Sequence, residues 1–170
     1  VGNVPEVGGA LAPPIESTKQ AFDLMLEAVE ASGMTGRVSL GIDAAASEFF
    51  DQRDSTYRIH EKRISPEELL ALYDELAGEY PLIFIEDPFH QDDFDHFAQL
   101  TSRHANRYIV GDDLFVTNKE RIQVGMDRQA ANALLLKVNQ VGTLTEAISA
   151  ANAAKERGCA IVGSLRSSDT

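Results

Sequence analysis

Three apolar runs in this sequence end in carboxylates, and a fourth ends in a lysine. "SLGIDAAA" closes at Asp43, "LIFIEDP" at Glu86 and Asp87, "RYIVGDD" at Asp112 and Asp113, and "ALLLKV" at Lys137. A fifth run, "CAIVGSLRSS", leads to Arg166 and Ser167. Carboxylates that converge without partners repel and raise one another's pKa. A hard divalent cation bound through oxygen removes that repulsion, and Mg²⁺ is the natural choice. Asp43, Glu86 and Asp112 are therefore the candidate metal ligands, with Asp87 and Asp113 as supporting groups. A lysine beside a cation-bound substrate in a partly desolvated site is favoured as the neutral amine, which can act as a base. Arg166, with its planar fork, and Ser167 can hold a phosphate or carboxylate. One acid at a strand end is ordinarily a helix cap or a solvated loop residue. The argument rests on three acids and a lysine recurring together.

The elements that must position them follow from periodicity. After the Gly/Pro-rich opening "VGNVPEVGGALAPPI", a helix is predicted from Ser17 to Gly33, with Phe22, Met25, Leu26 and Val29 on its apolar face. "SEFFDQRDSTYRIHEKRI" is polar and predicts a short hairpin. Ser65, Pro66 and Glu68 form a capping-box signature before "PEELLALYDELAGEY". From Glu86 to Asp112 to Lys137 one βα unit recurs about every 25 residues. Asn118 is placed to cap the helix in one of these units, and Gly158 to close another. Unbroken apolar strands alternating with amphipathic helices predict a parallel sheet covered by helices. Five strands suit part of a (β/α)₈ barrel, which in full needs about 250 residues. A doubly wound sheet would announce itself with a Gly-rich phosphate turn, which "EVGGALAP" matches poorly. In a barrel the strand ends share one face, where the βα loops build the active site.

Bulk properties narrow the partners. With 27 acidic against 15 basic residues, the net charge of −12 argues against nucleic acid or an anionic membrane. No apolar run approaches the ~18 residues of a membrane span, and no signal peptide is visible. The single cysteine, Cys159, excludes an internal disulfide framework, suits a reducing compartment and reads as a small buried residue. His60, His90, His96 and His104 lack zinc-site spacing, and His96 and His104 read as surface residues. Phe94, Phe97 and Leu100 are expected in the core. The chain opens at Val1 without Met and ends just past a strand-like run, which reads as a portion of a longer protein.

"GIDAAASEFF", "FIEDPFHQDDFDHF", "VGDDLFVTN" and "LLLKVNQVGTLTEAISAANAAKERG" closely resemble the catalytic barrel of the enolase (phosphopyruvate hydratase) family, from about residue 17 to 167. The resemblance implies a partial (β/α)₈ TIM-like barrel spanning residues 1–170, with a smaller α+β domain before it and further barrel strands after it. It also implies a cytoplasmic homodimer and a glycolytic, Mg²⁺-dependent lyase interconverting 2-phosphoglycerate and phosphoenolpyruvate. By that resemblance Asp43, Glu86 and Asp112 hold Mg²⁺, Lys137 removes the C2 proton, and Arg166 and Ser167 hold the phosphate. A lysine base with divalent charge stabilising the ene-diolate is general for that superfamily.

Two departures bear on the dehydration step. Enolases typically read "DEGGFAP" where this chain has "PEVGGALAP". Val7 stands next to the paired glycines, and Glu6, the remaining candidate for the acid that helps expel hydroxide, is one residue away. The typical "SHRSGE" is "SLRSSD" here, with Leu165 in place of histidine. Losing a general acid costs about 10²–10⁴ in rate. The pattern therefore also fits a relative that forms or binds an enolate without dehydration, such as carboxyphosphonoenolpyruvate synthase, or an inactive enolase-like segment. Family barrels further use a second lysine on a later strand and a mobile loop from the preceding domain. Both lie outside these 170 residues, so the segment alone is expected to be inactive.

Overall fold

The computed structural model describes residues 4–5, 11–12 and 14–166, which fall into two compact units, residues 1–40 and 41–170. In the first unit, β1 (Val4–Pro5) pairs antiparallel with β2 (Leu11–Ala12). The helix α1 (Thr18–Ala31) starts where Ser17 accepts from Gln20 N at 3.2 Å. It ends in a left-handed Gly33 at φ +67, with Met34 N donating back to Val29 O. Its predicted apolar face is only partly buried. Phe22 is enclosed, but Met25 is exposed and Leu26 and Val29 are intermediate, which corrects the expectation for Met25.

The second unit is built on a five-stranded sheet. Its strands are β3 (Leu40–Asp43), β7 (Leu82–Glu86), β8 (Tyr108–Gly111), β9 (Ala133–Lys137) and β10 (Ala160–Ser164), in the spatial order β10-β9-β8-β7-β3. β7, β8, β9 and β10 pair in parallel, in registers that include Glu86↔Val110, Gly111↔Leu134 and Ser164↔Lys137. These registers bring the carboxyl ends of the strands to one edge, as the sequence predicts. Between β3 and β7 lies a three-stranded antiparallel sheet of β4 (Phe50–Asp51), β5 (Thr56–Ile59) and β6 (Lys62–Ile64), one strand more than the predicted hairpin. The helices α2 (Pro66–Glu79), α3 (Phe94–Arg103), α4 (Lys119–Asp127) and α5 (Leu144–Lys155) alternate with the parallel strands.

The sequence signals that start these helices operate as read. Ser65 and Glu68 close a reciprocal capping box at 3.2 and 2.7 Å, and Asn118 caps α4 by accepting from Arg121 N at 2.9 Å. Side chains alternate across strands, so Val110, Ala133 and Leu135 share one sheet face, packed with Phe84, Ala160 and Val162. α3 packs on β8, and α5 packs on β9 and β10. Phe94, Phe97, Leu100 and Cys159 are buried, as expected.

His96 and His104 are not surface residues. His96 Nδ1 lies 2.8 Å from both Asp93 oxygens, its ring packs 5.5 Å from Phe89, and Nε2 is 3.7 Å from Glu67 on α2. His104 Nε2 meets Asp74 of α2 at 2.7 Å, and Nδ1 accepts from Arg107 at 3.2 Å. Both histidines bridge α2 and α3. A helical pattern shows which face a residue occupies but not that a second helix covers its polar tip.

Phe115 makes a tight steric demand just beyond the β8 acids. A methyl at Gly125 of α4 would overlap its ring, and one at Gly111 would come within 2.7 Å of it. Phe115 is fully buried. Gly125→Ala gains up to about 1 kcal/mol of helix propensity, while overpacking costs about 1–3 kcal/mol. We expect a net loss of about 1–2 kcal/mol in urea unfolding. A variant as stable as the parent or more stable would show that the ring yields.

Candidate active site

Asp43, Glu86, Asp112 and Lys137 each end or follow a strand of the parallel sheet and feel one another's charge. Glu86 is 7% exposed and its pKa is raised to about 7, by burial first and then by Asp43, Asp112 and Asp87, with Lys137 opposing. Asp43, at the exposed rim, is also raised. Burial is again the largest cause, with Asp112 and Asp113 adding to it and the amide of Ala45 and Lys137 opposing. Lys137 Nζ donates to Asp112 Oδ2. The other oxygen, Asp112 Oδ1, is enclosed and has no hydrogen-bond partner. A buried carboxylate oxygen left unpaired costs about 1–3 kcal/mol or more, so this atom calls for a cation or donor. Among the described residues the surrounding acids offer hard oxygens, with no cysteine or histidine in the cluster. Such a set suits Mg²⁺, Ca²⁺ or Mn²⁺ rather than a softer metal.

The neighbouring acids behave differently. Asp87, Asp112 and Asp113 place carboxylate oxygens within 4.8 Å of one another. Proximity alone would make Asp87 a ligand, but each of its oxygens already accepts a backbone amide of the next strand's end. Oδ1 accepts from Asp112 N at 3.0 Å and Oδ2 from Asp113 N at 2.7 Å, with Leu114 N 3.5 Å from Oδ1. Asp87 is 2% exposed and its pKa rises to about 7, because burial outweighs these amide donors. It therefore serves as a clamp on the next strand's end. Asp113 is raised as well, by partial burial and then Asp112, while Lys137 and Arg166 draw it down.

Lys137 is held from behind. Its amide donates to Thr117 Oγ1 at 3.0 Å, and that hydroxyl donates to Gln140 Oε1 at 3.1 Å. Thr117 and Val116 both sit at positive φ, +53 and +44. β-branched residues rarely adopt this conformation, which concentrates near functional sites. Arg121 joins two loops of the site by donating to Leu114 O at 2.7 Å, Gln91 O at 2.5 Å and Asp92 Oδ1 at 3.0 Å. Sequence reasoning missed Thr117 and Arg121. Each lies in a pattern already explained by α4, and neither partner is within reach of local spacing.

Arg166 N donates to Asn139 Oδ1 at 3.2 Å, and its charge reaches Asp113. Leu165 is 60% exposed. Glu6, Val7 and Ser167 lie outside the described residues.

Parallel βα units that collect acids and an amine at the carboxyl ends of their strands form an α/β type of site, common to TIM barrels and open parallel sheets. The whole of residues 1–170 matches the family described as "Enolase, C-terminal TIM barrel domain". The chain is 49% identical over 168 residues to the enolase of Methanocaldococcus jannaschii, covering 99% of this chain and 39% of that protein. It is 46% identical over 171 residues to the enolase of Methanopyrus kandleri, covering 99% and 40%. Against the enolase of Methanococcoides burtonii it is 48% identical over 163 residues, covering 95% and 38%. The chain belongs to the enolase family, as part of its C-terminal TIM barrel domain. It spans about two fifths of the length of these curated relatives. The barrel reading is thereby settled over the doubly wound alternative.

Proposed function

We propose that the protein to which these residues belong is an enolase-type lyase interconverting 2-phosphoglycerate and phosphoenolpyruvate, with Mg²⁺ held by Asp43, Glu86 and Asp112. The observation that carries this reading is Asp112, whose Oδ2 meets the Lys137 ammonium while Oδ1 is buried without a partner. A bound divalent cation would supply positive charge to the substrate carboxylate and so stabilise the dianion formed when C2 is deprotonated.

The chain's own residues supply the rest. Lys137, in its neutral amine form, takes the C2 proton, positioned by its link to Thr117 Oγ1. Its contact with Asp112 holds Nζ at the acidic rim, where the C–H proton α to the substrate carboxylate would be presented. Arg166 and Ser167 hold the phosphate, and Glu6 is the candidate to assist departure of the C3 hydroxide. Family membership supports a small phosphorylated acid as the substrate. Among the described residues no helix is long and apolar enough to cross a membrane. We extend the reading to a cytoplasmic homodimer acting in glycolysis, in which an α+β domain and further barrel strands complete the site.

Leu165 favours a second reading, because an apolar side chain there can neither donate nor accept a proton. In that reading the enolate forms and is not dehydrated. The complete protein supplied with Mg²⁺ and phosphoenolpyruvate is expected to consume the ultraviolet absorbance of the enol phosphate. Deuterium uptake at C2 of 2-phosphoglycerate with no phosphoenolpyruvate formed would overturn the lyase in favour of the second reading. Neither reaction would overturn both.

A further inference from the structure

Asp87 occupies a backbone conformation that turns its side chain onto the neighbouring strand. Its φ is +41, in the left-handed region that Asp and Asn tolerate better than other side chains. Its own amide donates to Val110 O at 3.0 Å, its carbonyl accepts from Ala46 N at 3.1 Å, and the preceding carbonyl of Glu86 accepts from Ala44 N at 2.9 Å. Its carboxylate accepts the amides of Asp112 and Asp113. One buried residue thus ties the ends of three strands, those carrying Asp43, Glu86 and Asp112.

We propose that Asp87 is a positioning residue for the cation site: it fixes the Asp112 backbone against Glu86 without touching the cation itself. This inference rests on the assignment of Glu86 and Asp112 as ligands. The physical reason is directional. With two acceptor oxygens aimed at consecutive amides, the β8 end cannot rotate, so Asp112 Oδ1 stays buried and pointed into the acidic cluster. Groups that orient ligands typically control metal affinity by about 10–100-fold.

The discriminating variant is Asp87→Asn. Asparagine keeps the size and tolerates positive φ, but its NH₂ group must face one of the two amide donors, so that bond is lost and replaced by repulsion. Asp113→Asn removes a neighbouring negative charge without disturbing the clamp. Leu100→Ala removes a buried side chain of α3 and serves as the control for general destabilisation. The complete proteins are titrated with magnesium chloride by calorimetry, and their melting temperatures are measured in EDTA.

Asp87→Asn is expected to weaken Mg²⁺ binding by about 10-fold or more, clearly beyond Asp113→Asn, while Leu100→Ala melts earlier and binds Mg²⁺ normally. Equal losses in Asp87→Asn and Asp113→Asn would reduce the role of Asp87 to its charge and overturn the proposal. So would normal binding by Asp87→Asn alongside a loss in Asp112→Ala. Normal binding by Asp112→Ala would instead overturn the ligand assignment and this inference with it. If Asp87→Asn fails to fold, Asp87→Ser, which keeps one acceptor oxygen, is held to the same outcomes.

Discussion

Replacing Lys137 with alanine is expected to slow exchange of the C2 proton of 2-phosphoglycerate by about 10²–10⁴ and to leave Mg²⁺ affinity unchanged or higher. The two effects separate because Lys137 and a cation have opposite relations to Asp112. The Lys137 side chain is 17% exposed, and its ammonium lies on Asp112 Oδ2. A cation drawn to that carboxylate must compete with the ammonium. Removing the amine removes the competitor along with the proposed base. Lys137→Arg sharpens the test, since guanidinium keeps the positive charge but cannot accept a proton at working pH. It should exchange as slowly as the alanine variant and bind Mg²⁺ no better than the parent. Deuterium uptake followed by NMR, together with calorimetric Mg²⁺ titration, reads both quantities. If Lys137→Ala lost cation affinity to the extent expected of Asp112→Ala, Lys137 would be a structural member of the metal site and not its base.

The parts of this fold that could be read in advance share a physical basis. A strand's apolar run, Ser65 with Glu68, Asn118 before α4 and the left-handed Gly158 all act on neighbours within a few residues. Such effects leave their mark in local spacing. The parallel pairing of Lys137 with Ser164 is non-local, but it follows from the βα alternation, because crossover helices force neighbouring strands to run alike. The acidic rim was legible for the same reason: strands that run alike bring their last residues to one edge.

The remainder depends on side chains reaching across the fold. Asp87 and the amides it holds are 25 and 26 residues apart, and Arg121 reaches Gln91 over 30. Nothing in "EDPFHQ" distinguishes an acid that binds a cation from one that binds two amides. That distinction lies in the positive φ at Asp87 and in where the β8 end falls. Met25 and the two histidines show the complementary point. Helical periodicity put Met25 at apolar spacing and read His96 as surface, yet α2 and Phe89 cover His96 while Met25 stays exposed within these residues. The third strand of the small sheet escaped notice because β4 has only two residues, too few for a pattern.

Without divalent cation, stability should fall as pH rises from about 5 to 8, and Mg²⁺ should remove that fall. The direction follows from two buried acids. Glu86 moves from 4.5 to about 7 and Asp87 from 3.8 to about 7, so the folded protein holds these protons more tightly than the unfolded chain. The resulting stability is fully present below the ordinary carboxylate range and is lost as pH rises through about 7. For Glu86 alone the rise corresponds to about 3 kcal/mol, and coupling between the two acids keeps their contributions from simply adding. Mg²⁺ would bind the ionised form, so its stabilisation should grow with pH as proton competition fades. Urea unfolding of the complete protein at pH 5.5 and pH 8, each in EDTA and in excess Mg²⁺, measures all four corners. Glu86→Gln should flatten the EDTA slope and weaken the response to Mg²⁺ together, because a neutral amide neither titrates nor attracts the cation. A flat EDTA profile in the parent would mean that the acids are already compensated, and it would remove the electrostatic reason for a cation at this rim.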